Sequence, residues 1–170
     1  EDVLLAEQFC AQNGCTRFAP AHGRDERDRM WEARHHAFYA SAAANPGKRA
    51  IVVDVAVPIS KFPELVELAR EALAEAGLGG PILGHAGDGN FHVGIFYGED
   101  EVQKAHAAND RIVHRALELG GTATGEHGVG IGKAKYMQRE HGEGLTLMKQ
   151  IKGLLDPRGT LNPGNIFVDG

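Results

Sequence analysis

Apolar and polar positions follow two rhythms along the middle of the chain, one typical of strands and one typical of helices. Residues 51–58, IVVDVAVP, are rich in β-branched side chains and predict a strand, whereas apolar residues three or four positions apart predict a helix that Ser60 caps and Gly77 ends. The predicted elements are a strand over 51–58, a helix over 60–77, strands over 81–86 and 91–97, and a helix over 99–119. This order makes up most of a ferredoxin-like α+β fold, an antiparallel sheet with helices packed on one face. The same fold predicts a further strand before residue 1.

The N-terminal segment is also predicted to be helical. Residues 3–9 have helical spacing, and a second helix over 28–44 presents a single stripe of residues. That stripe consists of Trp31, Arg34, Phe38 and Ala42. A guanidinium on an apolar stripe either extends its head to water or serves a binding site. The spacing alone leaves both roles open for Arg34.

The C-terminal third is expected to begin as a loop. Residues 120–132, GGTATGEHGVGIG, contain too much glycine for a helix or a long strand and therefore predict a loop of defined shape. Two short helices over 133–140 and 143–155 follow, and an irregular tail ends the chain. We expect these to form a C-terminal helical segment.

Two histidines in the predicted hairpin are candidate metal ligands. Asp88-Gly89 in GHAGDGNFH is a strong signal for a two-residue type I′ turn, and a turn centred there places His85 directly opposite His92. Opposite residues share a face with Cβ atoms about 4.5–5.5 Å apart, close enough for two imidazoles to bind one ion. The alternative is a hairpin that merely carries two surface histidines.

A second cluster favours the metal site. Glu126-His127 lies in GEHGVG, where glycines allow an irregular backbone, so that both side chains can point to one place. Glu126 would complete a triad with His85 and His92. Two imidazoles and one carboxylate leave positions open on a divalent ion, as in catalytic sites; zinc is favoured, manganese is possible, and iron would need the same ligand types.

Two nucleotide-binding motifs can be excluded from the details of their sequences. GHAGDGNFHVG lacks the third glycine of a dinucleotide fingerprint and leads into a strand rather than a helix. GVGIGKA lacks the spacing of a phosphate-binding loop and has Ala134 where a magnesium-binding hydroxyl is required.

Composition narrows the class of protein. The chain has 170 residues, 42% of them hydrophobic, which is sufficient for a core, and its net charge of −5 argues against a nucleic-acid partner. Cys10 and Cys15 make neither a disulfide framework nor a zinc ribbon. No apolar run approaches the ~18 residues of a membrane helix, and no leader is recognisable. We expect a cytoplasmic protein.

Five sequence blocks resemble one family of flavoproteins, and they occur in the family's order. They are similar to the C-terminal portion of cytochrome-linked, FAD-dependent D-lactate dehydrogenases, within the vanillyl-alcohol-oxidase-like flavoproteins. Glycolate oxidase and D-2-hydroxyglutarate dehydrogenase are relatives. The blocks are AHGRDERDRMWEARHHAFYA, IVVDVAVPISKFPELV, GHAGDGNFHVGI, GTATGEHGVGIGKAKYM and LDPRGTLNPGNIF.

The resemblance implies a role for six residues. They are His85, His92 and Glu126 as metal ligands, His127 as catalytic base, Arg34 as the partner of the substrate carboxylate, and Asn162 as a flavin contact. Two positions depart from relatives. Asn165 stands where a lysine is common, and Val52 stands where 2-hydroxyglutarate enzymes carry a substrate-binding lysine, which argues against a dicarboxylate substrate.

The resemblance also implies a domain organisation and a reaction. Residues 1–170 would be the C-terminal substrate- and metal-binding domain of a longer flavoprotein, with FAD bound mainly by an N-terminal domain outside this chain. We expect oxidation of D-lactate to pyruvate with hydride transfer to FAD. The alternatives are a glycolate or other 2-hydroxyacid oxidase subunit and a separate metal-binding module.

Several partners follow from the same resemblance. The electron acceptor is expected to be a cytochrome, a quinone or an electron-transfer flavoprotein. A homodimer and a location of the full-length enzyme at the periphery of a membrane are further predictions.

Overall fold

The computed structural model describes residues 2–167, and they divide into two compact units at the boundary between Ala40 and Ser41. The first unit contains helix α1 (Asp2–Gln12) and most of helix α2 (Gly23–Ala43). Neither helix has a buried residue. Both predicted N-terminal helices are therefore confirmed, although α2 begins several residues earlier than its apolar stripe.

The second unit is built around a three-stranded antiparallel sheet in the order β1-β3-β2, which confirms the α+β class. Its elements are β1 (Arg49–Ala56), α3 (Phe62–Ala76), β2 (Ile82–His85), β3 (Asn90–Tyr97) and α4 (Val102–Glu118). The strand expected before residue 1 lies outside the described residues. At the edge beside β1, Thr122 makes an isolated antiparallel bridge to Ala56. The glycine-rich loop then continues past this edge.

The two faces of the sheet have different roles because strand side chains alternate. Val53, Val55, Phe91, Val93 and Ile95 point to one face and form the core. They pack with residues from both helices, namely Leu65, Ala69, Ala72, Leu73, Ala105, Ala108, Ile112, Val113 and Ala116. The opposite face carries several polar side chains, and three of these are buried all the same: Asp54, Asn90 and His92.

Helix α3 differs from its prediction at the start. A short 3₁₀ turn over Ile59–Lys61 precedes it, so Ser60 is not its N-cap, and no side chain caps the helix. Gly77 ends it in the left-handed conformation, as predicted. A 3₁₀ turn over Glu99–Glu101 likewise precedes α4, and the Gly98 N–H donates to the Glu101 carboxylate at 2.8 Å.

The C-terminal helical segment comprises a 3₁₀ turn (Ala134–Tyr136), α5 (Met137–His141) and α6 (Gly144–Leu155). The buried Tyr136 joins it to α4 by donating from its hydroxyl to Asp110 at 2.5 Å. Asp156, also buried, orders the start of the tail by accepting from the N–H groups of Thr160 and Leu161. Within residues 2–167, no helix combines the length and apolar character needed to span a bilayer.

Candidate metal and substrate site

The hairpin that carries the two histidines differs from its prediction. A four-residue loop (86–89) joins β2 to β3, and His85 pairs with Asn90 while His92 pairs with Leu83. The predicted His85–His92 pairing is therefore wrong by two residues. A shift of two preserves the face. The rings consequently remain neighbours, with centroids 6.1 Å apart and edge to face.

The backbone explains why the type I′ turn is absent. That turn needs positive φ at both central residues. Among the described residues Asn162 is the one non-glycine with positive φ, so Asp88 does not adopt the conformation that this turn requires. The loop is held instead by Val57, whose N–H donates to the Gly89 carbonyl at 3.0 Å. A Cβ at Gly89 would lie 2.0 Å from the Val57 carbonyl oxygen, so this approach requires glycine.

Asp54 lies at the centre of the site, on the polar face of β1. It pairs with His92 across the sheet and is fully buried. Four donors reach its carboxylate: the Asn90 amide at 3.1 Å, the Glu126 N–H at 3.0 Å, the His127 N–H at 2.9 Å and the Lys133 ammonium at 3.0 Å. Burial by itself would raise the pKa of Asp54, but the hydrogen bonds from His127, Lys133 and Glu126 together hold it well below its usual range. The carboxylate is therefore ionised at neutral pH.

The glycine-rich loop passes over Asp54 at very short range. The Gly125 N–H donates to the Asp54 carbonyl at 3.3 Å. A Cβ on Gly125 would lie 2.2 Å from the Asn90 amide nitrogen and 2.3 Å from an Asp54 carboxylate oxygen. No other residue type fits there, and this close approach brings Glu126 and His127 to the sheet.

Three of the predicted site residues converge above Asp54. The His92 Nε2 lies 2.9 Å from a Glu126 carboxylate oxygen, and the His127 Nε2 lies 3.6 Å from the same oxygen. The two imidazole rings are stacked, with centroids 5.1 Å apart. With Asp54, these residues form a group whose candidate ligand atoms all lie within 4.8 Å of one another. His85 is beside this group but not a member of it.

Two other predicted residues belong to other elements of the chain. Arg34 is on α2, in the first unit, with a half-buried side chain. Asn162 is exposed in the tail and lines an open cleft of about 700 Å³ with Lys152 and Asp156. Its positive φ of 47° marks a tight bend in the NPGN segment.

Asp54, Asn90 and Lys133 are members of the site that spacing arguments missed. One signal was present in the sequence, because a lone aspartate inside the apolar run IVVDVAV is rarely buried unless it is paired. Its partners could not be found in this way, since Asn90 and Lys133 are far along the chain. Folding alone brings them together.

The chain matches a family model described as "FAD linked oxidases, C-terminal domain" over residues 1–166. It is 42% identical over 171 residues to "Probable D-lactate dehydrogenase, mitochondrial" of Danio rerio, covering 98% of this chain and 34% of that protein. It is 38% identical to "D-lactate dehydrogenase [cytochrome], mitochondrial" of Arabidopsis thaliana, covering 98% of this chain and 30% of that protein. It is 35% identical to "Glycolate oxidase subunit GlcD" of Bacillus subtilis, covering 98% and 36%. The chain spans about a third of the length of these relatives. The match across nearly its whole length shows that the chain belongs to the family of C-terminal domains of FAD-linked oxidases.

Proposed function

We propose that this chain is the substrate- and metal-binding part of a flavoprotein that oxidises a D-2-hydroxyacid, with D-lactate as the preferred substrate. The observation that carries the proposal is the convergence of His92, Glu126 and His127 above the buried Asp54. The names of the relatives from Danio rerio and Arabidopsis thaliana support the choice of substrate. Residues 1–170 form the C-terminal domain, and FAD is bound mainly by another part of the protein.

The donor set suits a divalent cation. Two imidazoles and a carboxylate are typical ligands of catalytic zinc, and manganese accepts the same types. Among the described residues, the buried carbonyl oxygen of the Asn90 side chain has no hydrogen-bond partner, so the site contains an acceptor that its neighbours do not satisfy. We assign His92 and Glu126 as ligands on geometry and His85, on the same face, as the third on the resemblance. Zn²⁺ or Mn²⁺ bound there supplies Lewis acidity toward the hydroxyl and carboxylate oxygens of a substrate.

His127 is the proposed base. Its side chain is 49% exposed, which leaves the ring open to a substrate, while its backbone is anchored to Asp54. Its Nε2 would accept the proton of the substrate hydroxyl, and FAD, when bound, would supply the hydride acceptor that oxidation of a hydroxyacid to a ketoacid requires. Arg34 pairs with the substrate carboxylate, where its planar fork favours bidentate binding.

The face around Asp54 favours a small monocarboxylate. Val52 lies on this face and is 40% exposed, at the position where dicarboxylate enzymes of the family carry a lysine. An apolar side chain there offers nothing to a second carboxylate. Glycolate, suggested by the Bacillus subtilis relative, is the second candidate. The electron acceptor, the cytoplasmic location and the homodimer remain predictions.

Activity of the flavoprotein that carries this chain tests the proposal. His127→Ala should lower kcat for D-lactate about 10²–10⁴-fold with the metal still bound, the usual contribution of a general base. His106→Ala, an exposed histidine on α4, is the matched control and should remain near wild type. A near-normal kcat for His127→Ala would remove it from the mechanism. A higher kcat/KM for glycolate than for D-lactate would make glycolate the preferred substrate. If no hydroxyacid is oxidised, the alternative of a separate metal-binding module is favoured.

A further inference from the structure

Asp54 lies next to three residues of the proposed site: His92, Glu126 and His127. Its carboxylate accepts from the N–H groups of both Glu126 and His127, the two loop residues with proposed roles. Its Oδ1 lies 3.6 Å from the Nδ1 of His92, while the Nε2 of His92 faces Glu126. One buried side chain therefore adjoins a ligand on the sheet and the backbone of both functional residues in the loop.

The hydrogen bonds of Asp54 argue against a role as a metal ligand. An ionised carboxylate offers about four lone-pair sites. Four donors occupy them: the amide of Asn90, the N–H groups of Glu126 and His127, and the ammonium of Lys133. Binding a cation directly would displace at least one of these donors. Asp54 is thus arranged to hold its neighbours.

Lys133 offsets the energetic cost of burying the Asp54 carboxylate. Its ammonium lies 2.7 Å from the Asp54 carbonyl oxygen and 3.0 Å from the carboxylate, and its side chain is 16% exposed. Lys133 follows the loop that contains Glu126 and His127, so this ion pair ties the far end of the loop to β1. A paired charge avoids the cost of burying a carboxylate alone.

We propose that Asp54 is the positioning residue of this site, which sets the course of the backbone over Gly125–His127 and so places Glu126 and His127 beside His92. The inference rests on the proposed function, because it takes His92 and Glu126 as ligands and His127 as the base. Groups that hydrogen-bond to metal-binding residues from outside hold those residues in place, and their loss weakens metal binding. Here the Asp54 carboxylate does so through the backbone amides of Glu126 and His127.

Three variants of the purified protein test the proposal. Asp54→Asn removes the charge, and Asp54→Asn/Lys133→Met also removes the lysine that would otherwise be left without its counter-charge. Asp110→Asn is the matched control, since Asp110 also binds a lysine, Lys135, but contacts the segment after the loop. After metal removal, Mn²⁺ binding is measured by titration, and exchange of the Glu126 and His127 amides is measured by hydrogen–deuterium exchange.

We expect Mn²⁺ affinity to fall about 10–100-fold in both Asp54 variants, the range typical of residues that support metal ligands. The amides of Glu126 and His127 should exchange faster in these variants, and the control should match wild type in both measurements. The double variant should unfold at a temperature close to that of the control, which separates positioning from loss of fold.

A folded double variant with wild-type Mn²⁺ affinity would overturn the proposal. Weaker binding with unchanged amide exchange would also overturn it, because Asp54 would then act as a ligand. If the wild-type protein binds no Mn²⁺, the proposed metal site fails, and exchange of the two amides alone then decides whether Asp54 positions the loop.

Discussion

Gly125→Ala is expected to disable the site with little damage to the core. The added Cβ would lie 2.2 Å from the Asn90 amide and 2.3 Å from the Asp54 carboxylate, whereas ordinary contact begins at 3.4 Å. The Asp54 side chain cannot move aside because it is buried and held by four hydrogen-bond donors. The loop must therefore retreat by roughly 1 Å, which weakens the bonds from Glu126 and His127.

Two magnitudes follow from this retreat. The free energy of unfolding should fall by about 1–3 kcal/mol, the usual cost of overpacking, since the loop can move without opening the core beneath the sheet. Displacement of a catalytic group by about 1 Å can cost about 10²-fold in rate, so kcat/KM for D-lactate should fall by about that factor. The measurements are urea unfolding, Mn²⁺ titration and steady-state kinetics.

Gly132→Ala is the matched control for this experiment. It lies in the same loop, and a Cβ there would meet no heavy atom within 4 Å. We expect it to bind Mn²⁺ and turn over D-lactate as wild type does. Equal behaviour of Gly125→Ala and Gly132→Ala would refute the argument that close approach of the loop to Asp54 assembles the site.

Three further outcomes can be measured. Tyr136→Phe should destabilise the chain by about 1–3 kcal/mol in urea unfolding, because it removes the hydrogen bond from a buried hydroxyl to the charged Asp110 carboxylate; a change near zero would contradict this. The hydrogen bond from Lys152 helps to hold the pKa of Asp156 well below its usual range, so the stability it provides is present above the ordinary carboxyl pKa of about 4 and is lost as the pH falls below it. The difference in free energy of unfolding between wild type and Asp156→Asn should therefore become smaller as the pH is lowered. A difference that does not change with pH would show that the charge of Asp156 is not what stabilises the chain. Arg34→Lys keeps the charge but loses the bidentate fork, so KM for D-lactate should rise more than kcat falls; an unchanged KM would favour the alternative in which the side chain extends to water.

The elements of the fold were predictable because their signals are local. The apolar spacing of α3 and α4 and the β-branched content of β1 identify which faces can be buried, and the structure buries those faces. The candidates His92, Glu126 and His127 were also found from residue type and glycine context alone. The predicted start of α3 was wrong, because a 3₁₀ turn over Ile59–Lys61 replaces the expected Ser60 cap.

The hairpin is a case in which the local sequence did not predict the pairing of the strands. Asp88-Gly89 is typical of a two-residue turn, but the contact between Gly89 and Val57, far back in the chain, favours a longer loop and moves His85 to the position opposite Asn90. His85 and His92 remain on the same face of the sheet after this shift, because side-chain direction repeats every two residues along a strand. The sequence could therefore predict that the two histidines share a face but not which residues pair.

The residue types of the site and the alternation that brings His92 to the polar face were determined by the sequence alone. Only the tertiary structure decided that Asp54 lies beneath them, because its four donors come from β3, the glycine-rich loop and Lys133, which are between 36 and 79 positions away along the chain. Such contacts depend on sheet order and on the path of the loop after Thr122. A pattern within a short window contains neither, so a buried charge and its partners are found together only once the chain has folded.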